Sequence, residues 1–561
     1  MAAPGEAGRS LASVANTNRF NRDTGLPAVE RVRPGRLRFR RYGLPIEWDE
    51  EPFEWVRPER FGVVRRYRSG VLTEMRVRAE LVPEGDGTLL RYEVEAQPHG
   101  LPGALAVPLE IGFLARRRFG RVFRQYDHAV VTAAPLPPAP ARLAPGARGR
   151  LEQAQQLLEA KARPALASRL AAHVQTGDAL ELARLRPYAL ADEWGEPRRE
   201  VLELCLHAVE AGLLELRWYV LCPQCRGPAQ RGASLVDLRP GEVHCESCGI
   251  GFDAELDRSL EIAFRPVPSI RHVDEVEFCV GGPFVTPHVV AQQLVPAGGA
   301  RELRVPLEPG RYRLRSPLAT RVLSAVEGAL ATPDAEGRIG LEARLRLENP
   351  SEDEALFVLE RAAWSDQAAT AADVGALQLF RDLFAREALR PGEQVSVGSI
   401  AVLFTDLRDS TRFYREVGDA PAFGAVMTHL DVLRRLVDEE EGAVVKTMGD
   451  AVMAVFRRPA GAVRAVVRAR GELPEHLVLK AGAHVGPCIA VTQNERLDYF
   501  GSTVNAAARL VGLSVGGDVV VSDAVLRDPE VAELAGRLAV EPVDAELKGF
   551  DERFDLWRLP G

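Results

Sequence analysis

Residues 400–413 read IAVLFTDLRDSTRF, residues 442–456 read GAVVKTMGDAVMAVF, and residues 497–514 read LDYFGSTVNAAARLVGLS. In each piece, polar residues stand against apolar patterning that holds them rigid. Residues 401–404 are a short apolar run, the mark of a buried strand, and Asp406 comes just at its end. Asp409, Ser410 and Thr411 follow, all favourable N-caps, so a helix with outward-pointing backbone N–H groups is predicted to begin there. A carboxylate beside a helix N-terminus suits a metal-bound polyphosphate, with the carboxylate on Mg²⁺ and the amides on phosphate oxygens. Standing alone, the same pattern is more often a cap.

The second piece is predicted to be a hairpin turning at Met448-Gly449-Asp450, which puts Asp450 on a tight loop near the strand end that carries Asp406. Two carboxylates so close repel each other, and a divalent cation between them is the usual remedy. By itself a Gly-Asp pair is an ordinary turn. In the third piece Gly501-Ser502 turns the chain, and residues 504–511 have helical composition with Asn505 and Arg509 at i and i+4, on one face. Such an arginine can meet charge growing on a phosphate; a solvated helix face is the plainer alternative.

Together, FTDL, KTMGD and DYFGSTVNAAARL resemble, in order, the catalytic domain of the class III nucleotidyl cyclases over roughly residues 395–559. The resemblance implies a ferredoxin-like α/β domain acting as a homodimer with two Mg²⁺ or Mn²⁺ ions per site. It places the metals at Asp406, Leu407 and Asp450, base reading at Lys446 and Asp498, and transition-state stabilisation at Asn505 and Arg509. Phosphate contacts would come from Asp409, Ser410, Thr411 and, in the closing LKGF, Lys548. Adenine offers an amino donor and a ring acceptor, which Asp498 and Lys446 complement; guanine has the opposite edge. ATP is therefore the expected substrate, converted to 3′,5′-cyclic AMP and pyrophosphate. The rivals are a guanylyl cyclase and a catalytically weak sensing or scaffolding protein that uses the fold to dimerise.

At 561 residues the chain has room for several cores, and a net charge of −8 from 71 basic and 79 acidic residues gives no sign of a bulk polyanion partner. The first residues hold no apolar run behind a basic start, and the most apolar later stretch, residues 101–114, contains Pro102, Pro108 and Glu110, so neither a signal peptide nor a membrane span is expected. Seven clustered cysteines are not a secreted disulfide framework and fit a reducing cytoplasm. Cys222-Pro-Gln-Cys225 and Cys245-Glu-Ser-Cys248 have the spacing of two knuckles that close a tetrahedral structural Zn²⁺ site, resembling a zinc ribbon. Cys205, Cys279 and Cys488 sit among apolar residues and read as small buried side chains.

The expected organisation is multidomain α+β. Residues 1–132, with a helix over 10–22, strands over 61–67, 72–81 and 88–96 and a closing helix over 113–126, resemble the helix-grip domains related to polyketide cyclases and START proteins. That resemblance implies a cavity for a hydrophobic small molecule; a filled core used for protein contacts is the other reading. Residues 133–149, rich in Pro, Ala and Gly, read as a linker. Residues 150–221 read as a helical module, winged-helix-like in outline, but Glu203, Glu210 and Glu215 on or near its candidate recognition helix argue against nucleic acid. The zinc ribbon takes 222–256. A β-sandwich takes 257–367, with strands over 260–265, 275–280, 302–306, 312–316, 341–348 and 355–361. Residues 368–394 read as a transmitter helix and linker, with one amphipathic helix over 370–388 capped by Thr370 and stopped by Pro391-Gly392, and a packing helix as the bland alternative. The cyclase-like domain takes 395–561.

Overall fold

The strand Gln394–Leu407 is the one on which the C-terminal unit is built. The structure, a computed structural model, describes residues 16–560 except 34, 86, 133–135, 137, 139–141, 224–225, 240, 242, 246–249, 256–258, 284–285, 287, 318, 362–366, 385–388, 390–393, 475, 494–495 and 551–552. Gln394–Leu407 lies between Ala451–Phe456 and Leu479–Gln493, and Gly442–Met448 pairs outside Ala451–Phe456. Helices Asp419–Glu439 and Pro459–Glu472 make the crossovers. The resulting β-α-β-β-α-β order, all four strands antiparallel, is the ferredoxin-like arrangement the sequence suggested. Asp518–Ser522 extends it in parallel with Leu479–Gln493, followed by Leu556–Pro560 and Glu541–Val543.

Both faces of this sheet are covered, which is why its inner strands read as unbroken apolar runs. Ala401, Leu403, Val452 and Ala454 face the two crossover helices. Val402, Phe404, Met453 and Val455 face the other way, into one continuous core that also holds Trp218, Phe380 and Tyr499. Helix Ser502–Leu513 crosses that second face closely because Gly482 has no side chain: a Cβ there would stand 2.2 Å from the Val511 nitrogen.

In the N-terminal region, helix Thr17–Asp23 is capped by Asn16, whose side chain accepts from the Arg19 N–H; residues 10–15 of the expected helix lie outside the described residues. The strands Arg60–Tyr67, Leu72–Glu84 and Gly87–Pro98 form where expected. The closing helix is Arg116–Val131, and it continues without a break from Gly100–Val107 through a π-helical turn, Pro108–Ala115. Between helix and sheet lies a cavity of about 920 Å³ lined by Trp48, Tyr67, Tyr92, Phe119 and Phe123 among others.

Several boundaries differ from the sequence reading. Residues 133–149 are not linker throughout: Ala144 N–H bonds to the Ile270 carbonyl, Leu143 bridges Arg271, and Gly146, at φ +69°, starts helix Ala147–Glu159. The strand expected at 260–265 exists as Leu260–Pro266, but it pairs along its whole length with Leu214–Leu221. It therefore belongs with the helical module, not with the sandwich. Residues 275–280 form no strand; Glu277 makes a single bridge to Val29, and Asn21 donates to the Phe278 carbonyl, so this stretch holds the N-terminal helix instead. The sandwich and the N-terminal sheet are also not separate, because Trp55 and Val56 pair with Gln292 and Ala291 to make one sheet. Hydrophobic alternation gives each strand's faces but not its partner, which is why Leu260–Pro266 and the shared sheet were misassigned.

The expected single helix before the C-terminal unit is two short ones, Ala371–Gly375 and Gln378–Leu383, with Leu377 extended between them. Thr370 and Asp373 form the capping box that starts the first. The segment is buried nearly all round, not amphipathic, because the helical module covers one side and the C-terminal unit the other. Residues 385–388 and Pro391-Gly392 lie outside the described residues. Cys205, Cys279 and Cys488 are buried, as expected. Glu203 and Glu210 pair with Arg199 and Lys161, and Arg199 also binds Asp438 at 3.0 Å, so the candidate recognition helix Arg198–Glu210 rests against the C-terminal unit. Among the described residues no helix is long and apolar enough to cross a membrane.

Candidate active site

Asp406 ends the apolar strand and Asp450 sits on the turn of the adjoining hairpin, where Gly449 at φ +68° makes the tight bend. Burial first, and then the Asp450 carboxylate beside it, push the Asp406 carboxyl above its ordinary range, while the Leu407 N–H and Lys480 act in the opposite sense. Asp450 Oδ2 is buried with no hydrogen-bond partner among the described residues. A buried carboxylate oxygen without a donor, facing a second carboxylate, fits a hard divalent cation. Among the described residues no group of three or more His, Cys, Asp or Glu side chains could hold a metal unaided. Two carboxylates are what a Mg²⁺ site needs when substrate phosphates and water complete the shell. Leu407 is the last residue of the same strand and is buried.

Lys446 and Asp498 come together although 52 residues separate them: Lys446 Nζ donates to Asp498 Oδ2 at 2.6 Å. Asp498 is almost fully buried, and its other oxygen accepts the Tyr499 N–H at 2.8 Å, which fixes the carboxylate's orientation. The Lys446 ammonium also lies 5.4 Å from the centre of the Phe500 ring. A bulge between Val444 and Lys446 sets Lys446 opposite Met453, which in turn lies opposite Phe404, so the lysine lies on the sheet face that carries Asp406. Helix Ser502–Leu513 buries Ala506, Ala507 and Leu510 and leaves Asn505 and Arg509 exposed on one face, with no side-chain partner among the described residues.

Helix Ser410–Val417 begins where the sequence placed it, but Asp409 makes no side-chain cap and takes the left-handed conformation, φ +56°. Its carbonyl accepts the Arg412 and Phe413 N–H groups instead. Lys548 is exposed on a turn next to Leu547, which packs with Ala506 and Leu510, close to the helix of Asn505 and Arg509.

Three features escaped the sequence reading. Lys480 pairs across the strands with Asp406. His429, fully buried on helix Asp419–Glu439, bonds the Asp450 carbonyl through Nε2 at 3.2 Å; a carbonyl can only accept, so the proton is on Nε2. Burial holds this ring below its ordinary pKa, and it props the turn of Asp450. A lone histidine on a helix's apolar side was the available signal. Finally, the segment before the domain touches the strands that carry Lys446 and Asp498: the Val444 N–H donates to Gln378 at 2.9 Å, and Arg381 donates to the Leu497 carbonyl at 3.1 Å. Gly375 packs against the Tyr499 hydroxyl, where a Cβ would come within 2.7 Å.

Parts of the chain are similar to known proteins. Residues 393–535 match the family of adenylate and guanylate cyclase catalytic domains. The C-terminal unit is thus similar to nucleotide cyclase catalytic domains. Residues 150–277 match a family of unknown function, DUF5939, which agrees with the strand Leu260–Pro266 lying in the helical module. The chain is 31% identical over 173 residues to an adenylate cyclase of Lachancea kluyveri, covering 26% of this chain and 9% of that protein. It is 27% identical over 183 residues to an adenylate cyclase of Schizosaccharomyces pombe, covering 28% and 10%. An uncharacterised protein of Mycobacterium tuberculosis is 37% identical over 126 residues, 21% of this chain and 31% of that one. The chain thus spans a small part of the length of these relatives. Among solved structures, a Trypanosoma brucei adenylate cyclase covers 29% of this chain and 89% of its own at 23% identity, with a TM-score of 0.26. The adenylyl cyclase CyaB from P. aeruginosa covers 30% and 96% at 18% identity, with a TM-score of 0.27.

Proposed function

We propose that the protein is an adenylyl cyclase of class III, converting ATP to 3′,5′-cyclic AMP and pyrophosphate at sites shared between two copies of the chain. The observation that carries the choice of ATP is the Lys446–Asp498 pair, a donor and an acceptor 2.6 Å apart on a rigid strand pair. Adenine's N1 and N6 edge presents the complementary acceptor and donor. Asp406, Asp450 and the Leu407 backbone would hold two Mg²⁺ or Mn²⁺ ions. Bound there, the ions supply positive charge against the polyphosphate and favour the ionised 3′-oxygen. Asn505 and Arg509, exposed and without partners among the described residues, are positioned to meet the ribose and the charge on the α-phosphate. Loss of Arg509 should cost on the order of 10²–10³ in rate. Helix Ser410–Val417 presents the backbone amides of Ser410 and Thr411, with Asp409 ahead of them, and Lys548 offers a cation for the phosphates.

The two helices between Ala371 and Leu383 serve as the transmitter. Their start, Ala369–Thr370, pairs with Leu260–Pro266 in the central sheet, and Gln378 and Arg381 hold the strands of Lys446 and Asp498. A shift of the central module would thus reach the base readers directly. Incubating the purified full chain with ATP and separately with GTP, with Mn²⁺ or Mg²⁺, tests the reading. Cyclic AMP should form well in excess of cyclic GMP; cyclic GMP as the main product, or no turnover of either, would reject it.

The four-cysteine set is proposed as a structural Zn²⁺ site. Cys222 and Cys245 are buried at the ends of their strands, and Arg226, at φ +57°, returns its N–H to the Cys222 carbonyl in the first knuckle turn. Cys225 and Cys248 lie outside the described residues. Elemental analysis of protein purified without chelators should find about one zinc per chain, and stripping it should lower the melting temperature of the whole protein. Zinc-free protein with an unchanged melting temperature would remove the site.

A further inference from the structure

We propose that the N-terminal domain docks on an anionic lipid surface through the outer face of its lid, residues 100–124. Residues 101–115, LPGALAVPLEIGFLA, hold one charged residue, Glu110, and are apolar on every side. A helix apolar all round is ordinarily buried all round. Here the inner side, including Ala106, Val107 and Ile111, lines the 920 Å³ cavity. The outer side is bare: Leu101 and Leu105 are 84% and 80% exposed, and Leu109 and Phe113 continue the same stripe at four-residue intervals. The neighbouring hairpin turn adds Tyr42 and Leu44, 83% and 69% exposed. The patch is continuous with that turn, because Arg41 and Tyr42 both bind Glu110, the latter at 3.0 Å.

Charge chooses the occupant. Immediately after the stripe come Arg116, Arg117, Arg118, Arg121 and Arg124, with no acidic residue among residues 111–126. None of the five has an ion-pair partner among the described residues, in a chain of net charge −8 whose arginines are otherwise widely paired with Asp and Glu; Arg116 and Arg118 border the cavity, while Arg117, Arg121 and Arg124 are exposed away from it. Arg117 instead stacks on Phe113, 4.2 Å from the ring centre. An apolar helix face followed by uncompensated arginines, with a tyrosine at the rim, is the pattern of a segment lying in a membrane interface. It combines the two signals, apolar insertion and a polybasic patch, that stable but reversible docking needs. A protein groove would have to supply both a long apolar trough and a row of acids. The surface of an anionic bilayer has both everywhere.

The test is co-sedimentation of the full chain with phosphatidylcholine vesicles, with and without phosphatidylserine. Binding is expected to the phosphatidylserine vesicles at low salt and to weaken as salt is raised. Leu101→Glu with Leu105→Glu, at exposed positions that folding does not use, should lower the vesicle partition at least tenfold or so. Arg117→Glu with Arg121→Glu should abolish the preference for phosphatidylserine. Circular dichroism and melting temperature should match wild type in both variants. The proposal is overturned if the wild-type chain stays in the supernatant with both vesicles, or if the leucine variant binds as wild type does. It is also overturned if light scattering without lipid shows the leucine substitutions dissociating an oligomer, which would assign the patch to a second copy of the chain.

Discussion

The Asp406→Ala and Arg509→Ala variants of the full chain, each inactive alone, should together recover roughly a quarter of the wild-type rate once subunits exchange, since half of randomly paired dimers are mixed and each has one complete site of two. The expectation rests on how one chain presents the two sets. Asp406 and Asp450 face each other at the end of the central strand, with burial and mutual repulsion pushing Asp406 upward. Asn505 and Arg509 stand exposed on a helix, with no partner among the described residues. A guanidinium that acts on phosphate charge has its large effect only when water is excluded around it. On the proposed shared site, an exposed Arg509 would gain such surroundings from a second copy. Exchange demonstrated by mixed tags, with no recovered cyclic AMP, would place the whole site within one chain.

Much of the C-terminal unit was legible because its signals are local. An apolar run ending in Asp406, the Gly449-Asp450 turn and the i, i+4 pair on one helix each constrain a few consecutive residues, and the strand, hairpin and helix all form there. Gly482 and His429 were not legible, since their roles depend on Val511 and Asp450, which approach only after folding. The Lys446–Asp498 contact was reached through the family resemblance and not through spacing, as 52 residues lie between them.

Elsewhere many elements were legible but their partners were not, and residues 275–280, read as a strand, form none. Leu260–Pro266 has the same strand pattern whether it joins the helical module or a sandwich; the choice is made by seven pairings with Leu214–Leu221. The segment 371–383 read as one amphipathic helix because its apolar residues were assigned to a single face. With covering surfaces on both sides, the same residues form two short helices with every side in use. The hydrophobicity of residues 101–115 was visible from the start, but only the structure separates the side that lines the cavity from the side that faces outward.

Replacing the base readers, Lys446→Glu with Asp498→Cys, should lower kcat/KM for ATP by about 10³ or more and raise the share of cyclic GMP formed from an equal mixture of ATP and GTP. A site built to hydrogen-bond a base edge rejects the wrong edge strongly, because buried polar groups are then left unpaired. Asp498 is buried and keeps one oxygen on the Tyr499 N–H, so its remaining oxygen has one direction in which to accept, now taken by Lys446. Adenine entering the pocket exchanges that internal ion pair for its own amino group on Asp498 and its ring nitrogen on Lys446. With Glu and Cys in these places the polarity of the pair is reversed, toward guanine's N–H donors and O6 acceptor. The single Lys446→Ala variant serves as the control, since it strands the Asp498 carboxylate and should lose activity toward both nucleotides. A double variant that folds like wild type and keeps its full preference for ATP would mean that residues other than Lys446 and Asp498 choose the base.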